Sequence, residues 1–245
     1  MTGLCVSSEF GRELHMAKPN SVHHFAICTA DIKAQIEYFT DVMGMELVAL
    51  YWMHGVEGAW HGFLKLNDQS YIAFVQTPDV AGIPVEIGKT HAGNPGGPSA
   101  PGTLQHIAFN VDTQAELLTM RDRIRSRGID VFGYLDHGFC KSIYFAGPEN
   151  LCLEVATSEG APINPVAWID PEVVALAGIS AEELSRFKSP APFSRPPHPV
   201  PQPDPDPSKP HLAFPPEAYK AIFGLSDEEV TARMSEATPP VQFAS

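Results

Sequence analysis

The chain is short of positive charge, of paired cysteines and of long apolar runs, and each shortage removes a class of function. Only 16 of its 245 residues are Lys or Arg, against 29 Asp or Glu, for a formal net charge of −13. Nucleic acid is bound by neutralising phosphates with a basic footprint, so it is excluded as a partner, and an anionic membrane surface with it. A small neutral or metal-chelated organic molecule suits this surface better than a polyanion. The four cysteines (Cys5, Cys28, Cys140, Cys152) are scattered, with no CxxC pair. That is the usage of a reducing cytoplasm, where a buried thiol acts as a small hydrophobe. The first 20 residues carry Glu9, Arg12, Glu13 and Lys18 and no apolar stretch, so no secretory signal is predicted. No run reaches the roughly 18 apolar residues of a membrane span. A soluble cytoplasmic protein is expected.

What is present is ordinary globular composition, 44% hydrophobic and 18% charged, in a chain long enough for one core and an extension. Proline divides it. Seventeen of the 24 prolines follow residue 158, densest over 190–216. Proline fixes φ and lacks an N–H, so that stretch reads as an extended strap. Three short helix signals surround it: Asp170-Pro171, and capping boxes at Ser180-Ala-Glu-Glu183 and Ser226-Asp-Glu-Glu229. Residues 158–245 are predicted to be a Pro-rich extension wrapping the core or a partner subunit, and a homo-oligomer is expected from the strap.

Residues 21–157 contain a weak internal repeat. The first copy opens with the alternating strand His24-Phe-Ala-Ile. A helical face of Ile32, Ile36, Phe39 and Met43 follows, and Gly44 stops it. Strand patterns then appear in ELVALYWM, AWHGFLKL and YIAFVQ. The second copy opens with His106-Ile-Ala-Phe, passes a capping box at Thr113-Gln-Ala-Glu116, and runs helical to Gly128. Strands follow near DVFGY, KSIYF and LCLEVA. The predicted architecture is α+β, with two paired βαβββ modules (21–80 and 103–157) forming an open, barrel-like mixed sheet around a metal site. A 1–20 arm precedes it and the 158–245 extension follows.

The repeat also suggests chemistry. In a strand, residues i and i+2 share a face, so His24 points with Ala26, and His106 with Ala108. Pseudo-symmetric pairing would send both imidazoles into one concavity. Glu154 is the lone charge in an apolar last strand, and a buried carboxylate must be paired or bound to a metal. Two His and one carboxylate form the facial triad of non-haem Fe(II) oxygenases. His24, His106 and Glu154 are therefore the candidate ligands, with Fe(II) the expected metal and Mn(II) the substitute. His23 competes with His24, but alternation turns it to the opposite face. His54 and His61 flank a Gly-rich turn and read as surface or pocket-rim residues. Phe25, Trp52, Trp60 and Phe139 are candidate aromatic walls for a substrate.

Residues 21–157 resemble the vicinal-oxygen-chelate superfamily, which includes glyoxalase I, fosfomycin and bleomycin resistance proteins and type I extradiol dioxygenases. The resemblance is carried by His24-Phe-Ala-Ile, Asp31-Ile-Lys and Tyr38-Phe-Thr-Asp-Val-Met-Gly-Met. Glyoxalase-type sites take a fourth ligand from the last strand of the first half; here that strand, YIAFVQ, offers none. The ending His137…Tyr144…Pro148…Glu154 is similar to the extradiol pattern. It departs at Gly147, where a polar residue is usual, and at Asn150, where a glycine is usual. The resemblance implies an Fe(II)-dependent ring-cleaving dioxygenase acting with O2 on a catechol-like or hydroquinone-like aromatic diol. It assigns His91 as the base, Tyr144 as the hydrogen-bonding partner of a substrate oxygen, and His137 as the residue beside the oxygenated intermediate. A glyoxalase-like isomerase or lyase and a non-catalytic drug-binding protein are the alternatives.

Overall fold

The computed structural model describes residues 18–242; the N-terminal arm up to residue 17, with Cys5 and His15, lies outside them. The first module runs β1 (His24–Cys28), α1 (Ile32–Asp41), β2 (Glu46–Trp52), β3 (Trp60–Asn67) and β4 (Ser70–Gln76). The second runs β5 (Ile107–Asn110), α2 (Gln114–Ser126), β6 (Phe132–Asp136), β7 (Lys141–Ala146) and β8 (Cys152–Thr157). Each module forms its own four-stranded sheet, ordered β1-β4-β3-β2 and β5-β8-β7-β6. In both, the first strand pairs with the last in parallel and the other pairings are antiparallel. The architecture is thus two open mixed sheets rather than one closed barrel.

Local sequence explains the helix limits. Asp31 caps α1 by accepting the Ala34 N–H, and Gly44 takes the left-handed φ of +80° that ends the segment. Thr113 and Glu116 form the reciprocal capping box that opens α2. Each helix packs on the sheet of its own module. Leu64, Ile72 and Phe74 of the first sheet share one core with Ile107, Phe109, Ile143 and Leu153 of the second, together with Phe39 of α1 and Leu117 of α2. Burying each such side chain contributes about 1.5–3 kcal/mol.

Polar contacts fasten the modules to each other. The Glu149 carboxylate accepts the Ala30 N–H at 2.7 Å and the Gln35 side-chain amide at 2.8 Å. Tyr38 donates its hydroxyl to the Ala146 carbonyl at 2.6 Å, and Arg123 donates to the Val42 carbonyl at 2.8 Å. These contacts hold α1 of the first module against α2 and the β7–β8 connection of the second.

Residues 21–173 pack as one compact unit and residues 174–237 belong to another. The short helix α3 (Pro165–Trp168) therefore packs with the two modules, and α4 (Pro171–Leu176) spans the boundary. The second unit carries α5 (Ala181–Lys188), α6 (Pro216–Phe223) and α7 (Asp227–Met234). Between residues 189 and 215 there is neither helix nor strand, as the proline density requires. Among the described residues no helix is long and apolar enough to cross a membrane.

Candidate metal centre

Register places the two histidines in matching positions. Ala26 pairs with Ala73 across β1 and β4, and Ala108 with Glu154 across β5 and β8. His24 and His106 each stand two residues before those alanines, on the same face. The place that Glu154 fills in the second module is therefore held by Ala73 in the first, which removes a fourth donor from that strand.

His106 and Glu154 are brought together. Nε2 of His106 lies 2.9 Å from Oε2 of Glu154, whose side chain is only 6% exposed. The other ring nitrogen, Nδ1, contacts Oε1 of Gln105. The orientation of that amide is fixed, because its nitrogen donates to the carbonyls of Asn94, Pro95 and Gly97 at 3.0–3.2 Å. Gln105 Oε1 is thus an acceptor and His106 Nδ1 its donor. In the neutral imidazole, Nε2 then presents a lone pair directly to the carboxylate. Two lone pairs at this distance need a proton or a cation between them. Two donors at right angles on one ion, each about 2.1 Å from it, stand about 3 Å apart. The pair therefore fits two adjacent positions on a divalent metal.

His24 is not joined to that pair, and among the described residues no three His, Cys, Asp or Glu side chains are grouped closely enough to hold an ion. Its Nδ1 contacts Nδ1 of His23 at 2.9 Å, which leaves Nε2 as the free nitrogen. Its ring stands against Phe63, 5.4 Å between centroids, and His61, 6.5 Å. Ala26, two residues on, lines a single depression with His91, Gln105, His106 and Asn150. The histidine strands of both modules thus border the same space.

The remaining predicted residues fall into two groups around His106. His91 lies in that depression. The Thr90 hydroxyl donates to the Glu86 carbonyl at 3.1 Å, so at 2.9 Å it accepts from His91 Nδ1. His91 Nε2 is left as an acceptor, the form a general base requires. Tyr144 is the cross-strand neighbour of Glu154, and its hydroxyl lies 3.0 Å from Nε2 of His137. Burial, and next the negative charge of Glu154, push the Tyr144 phenol above its ordinary range. It stays a neutral O–H donor at physiological pH.

Strand parity corrects the aromatic walls. Phe25, Trp52 and Trp60 alternate with His24, Tyr51 and His61 and so point to the opposite sheet face; Phe139 packs edge-on against Trp168 at 4.8 Å. The face bearing His24 carries Tyr51, Phe63 and Tyr71 instead, with Tyr51 and Phe63 parallel to within 9°. His61 is not a simple rim residue. Its Nε2 is shielded from solvent yet has no hydrogen-bond partner, and burial followed by the nearby His24 lowers its pKa. Period-two counting from His24 is the signal that identifies these residues. Nothing in the local pattern marks Gln105, whose role arises from a fold of the 94–97 loop.

No curated protein matches the chain in sequence. Solved structures similar to it include a glyoxylase/bleomycin resistance protein/dioxygenase domain from Frankia sp. EAN1pec, at 13% identity and TM-score 0.45, covering 58% of this chain and 99% of that one. A lactoylglutathione lyase from Agrobacterium tumefaciens is 20% identical with TM-score 0.41, over 58% and 96% of the two chains. A point mutant of the fosfomycin resistance protein FosX from Listeria monocytogenes, complexed with Mn(II) and 1S,2S-dihydroxypropylphosphonic acid, is 16% identical with TM-score 0.39, over 56% and 92%. Residues 21–159 match the Glyoxalase/Bleomycin resistance protein/Dioxygenase superfamily over more than half the chain. The chain belongs to this superfamily, and its paired βαβββ modules are the corresponding vicinal-oxygen-chelate fold.

Proposed function

We propose that the protein is an Fe(II)-dependent ring-cleaving dioxygenase acting on a catechol-like or hydroquinone-like aromatic, with His24, His106 and Glu154 as the metal ligands. The observation that carries the proposal is the His106–Glu154 pair, whose 2.9 Å separation suits a proton or a cation between the two atoms and matches two adjacent positions on a divalent metal. His24 is taken as the third donor because it stands where His106 stands in the other module and its Nδ1, rather than its Nε2, contacts His23. Ala73 argues against the four-ligand arrangement of a glyoxalase-type lyase. Fe(II), when bound, would supply Lewis acidity toward a substrate hydroxyl and the electrons that activate dioxygen.

The chain's own residues perform the proton work. His91 Nε2, an acceptor in the same depression, takes a hydroxyl proton from the diol and later returns it. Tyr144, kept neutral, donates a hydrogen bond to a substrate oxygen as negative charge develops there, and His137 holds the phenol in place from 3.0 Å. Acid–base help of this kind contributes about 10²–10⁴-fold. Tyr51, Phe63 and Tyr71 offer ring faces to an aromatic substrate. The test is anaerobic loading with Fe(II), addition of a panel of catechols and hydroquinones, and admission of air. A coloured ring-fission product with one O2 consumed per turnover supports the proposal. Metal binding without O2 uptake on any diphenol would move the protein to the lyase class, and absence of metal binding to the drug-binding class.

A further inference from the structure

We infer that Trp168, in the extension, is a positioning residue for this site, acting through the turn that aims His137 at Tyr144. The consequence for catalysis rests on the ring-cleavage reading; the geometry does not.

His137 lies in the tight turn between β6 and β7. Its N–H donates to the Cys140 carbonyl at 2.8 Å, and the Gly138 N–H donates to Oδ1 of Asp136 at 2.8 Å. Gly138 has a φ of +82°, and the indole of Trp168 lies directly against its bare Cα. A Cβ there would meet Cζ2 at 2.9 Å and Cη2 at 3.0 Å. Phe139 stands edge-on to the same indole, 4.8 Å away at 78°. The two residues that follow His137 are therefore held from one side by a single aromatic ring.

That ring is itself fixed by its own local sequence. Pro165 opens α3, Oδ1 of Asn164 accepts the Val166 N–H at 3.0 Å, and the Trp168 N–H returns to the Asn164 carbonyl at 3.0 Å. Trp168 is still 47% exposed, so it is no core filler; it covers the turn. From the turn, contact passes through His137 Nε2 to the Tyr144 hydroxyl at 3.0 Å, and from Tyr144 across the strand pair to Glu154. Without the indole, a glycine-containing hairpin tip can adopt several conformations, only some of which leave His137 in contact with the phenol.

The test combines a double-mutant cycle with a readout that needs no turnover. In ring-cleavage assays of the full chain, Trp168→Ala lowers kcat roughly 10- to 100-fold, with KM and metal stoichiometry held. Trp168→Phe, which keeps a ring on Gly138, recovers most of the loss. In a His137→Ala background, Trp168→Ala adds no more than about 2-fold, because the path it acts through is already gone. Equal losses in both backgrounds, or an unchanged kcat, overturn the inference. Independently, in ¹³C-histidine-labelled protein the His137 ring resonance, assigned by its loss in His137→Ala, shifts and broadens in Trp168→Ala and returns toward its original place in Trp168→Phe. An unmoved resonance overturns the inference whether or not any diphenol is cleaved. Failure to cleave diphenols with a shifted resonance overturns the ring-cleavage reading alone. Should Trp168→Ala not fold, Trp168→Leu, which retains bulk but no ring, takes its place in both arms.

Discussion

Ala73 and Glu154 hold the same place in the two modules: each lies on the last strand, paired in parallel with the alanine two residues beyond the module's histidine. One module therefore supplies a single candidate donor and the other supplies two. Replacing Glu154 with alanine would make the second module equivalent to the first. Both Glu154→Ala and the near-isosteric Glu154→Gln are expected to weaken binding of Fe(II) or Mn(II) by more than the roughly 10- to 100-fold that loss of an outer partner costs. Competition with a coloured chelator measures this. Retained affinity in Glu154→Gln would show that the charge is not what holds the metal.

Gln105 ties the tautomer of His106 to the 94–97 loop. Gln105→Ala should reduce metal affinity roughly 10- to 100-fold. Gln105→Glu should be at least as damaging despite its similar size, because a carboxylate oxygen would then face three carbonyl oxygens. Chelator competition and a thermal melt of both variants check the ordering.

Glu149 fastens the modules from a backbone at φ +53°, which is left-handed for a non-glycine residue. Glu149→Ala loses both hydrogen bonds and keeps the backbone strain. It should cost about 2–4 kcal/mol in urea unfolding. Glu149→Gly loses the same bonds but relieves roughly 1 kcal/mol of strain, so it should fall between the wild type and Glu149→Ala.

Tyr38 responds to alkali. Burial raises its phenol pKa well above the ordinary value near 10, and its hydroxyl donates to the Ala146 carbonyl. The unfolded chain releases that proton at the ordinary pKa while the folded protein keeps it. The stabilisation is fully present below about pH 10 and is lost as pH rises toward the folded value. Tyr38→Phe should therefore be less stable at neutral pH, by about 1 kcal/mol for the lost bond. Its stability should also fall less steeply above pH 10 in a pH series of urea unfolding curves.

Much of this is legible in the sequence because it depends on short-range rules. The His-x-Ala frames at 24 and 106, the capping boxes at Thr113, Ser180 and Ser226, and the stops at Gly44 and Gly128 all rely on contacts within four residues, and the elements they predict are present. Helix α6, which begins where the 190–216 strap ends, is not among the three helix signals read from the sequence. It has local signals of its own, Pro216 at its first turn and Gly224 after its end, but the surrounding prolines mask them. Helix α3 has a single turn, too short for periodicity to register.

The less legible part of the site is the part that depends on long-range packing. Gln105 matters because a loop eight to eleven residues upstream curls back onto its amide. Glu149 matters because α1 of the other module begins against it. The aromatic face of Tyr51, Phe63 and Tyr71 becomes visible only after the strands are paired in register. The His106–Glu154 pairing is reachable from parity. The position of His24, set by His23, Phe63 and His61, is not.

Diffraction from crystals grown anaerobically with Fe(II), with an anomalous difference map at the iron edge, addresses the metal assignment most directly. The predicted result is one peak per chain within about 2.0–2.2 Å of His24 Nε2, His106 Nε2 and a Glu154 oxygen. A peak that engages His106 and Glu154 but leaves His24 on Phe63, or no peak near the pair at all, would contradict it.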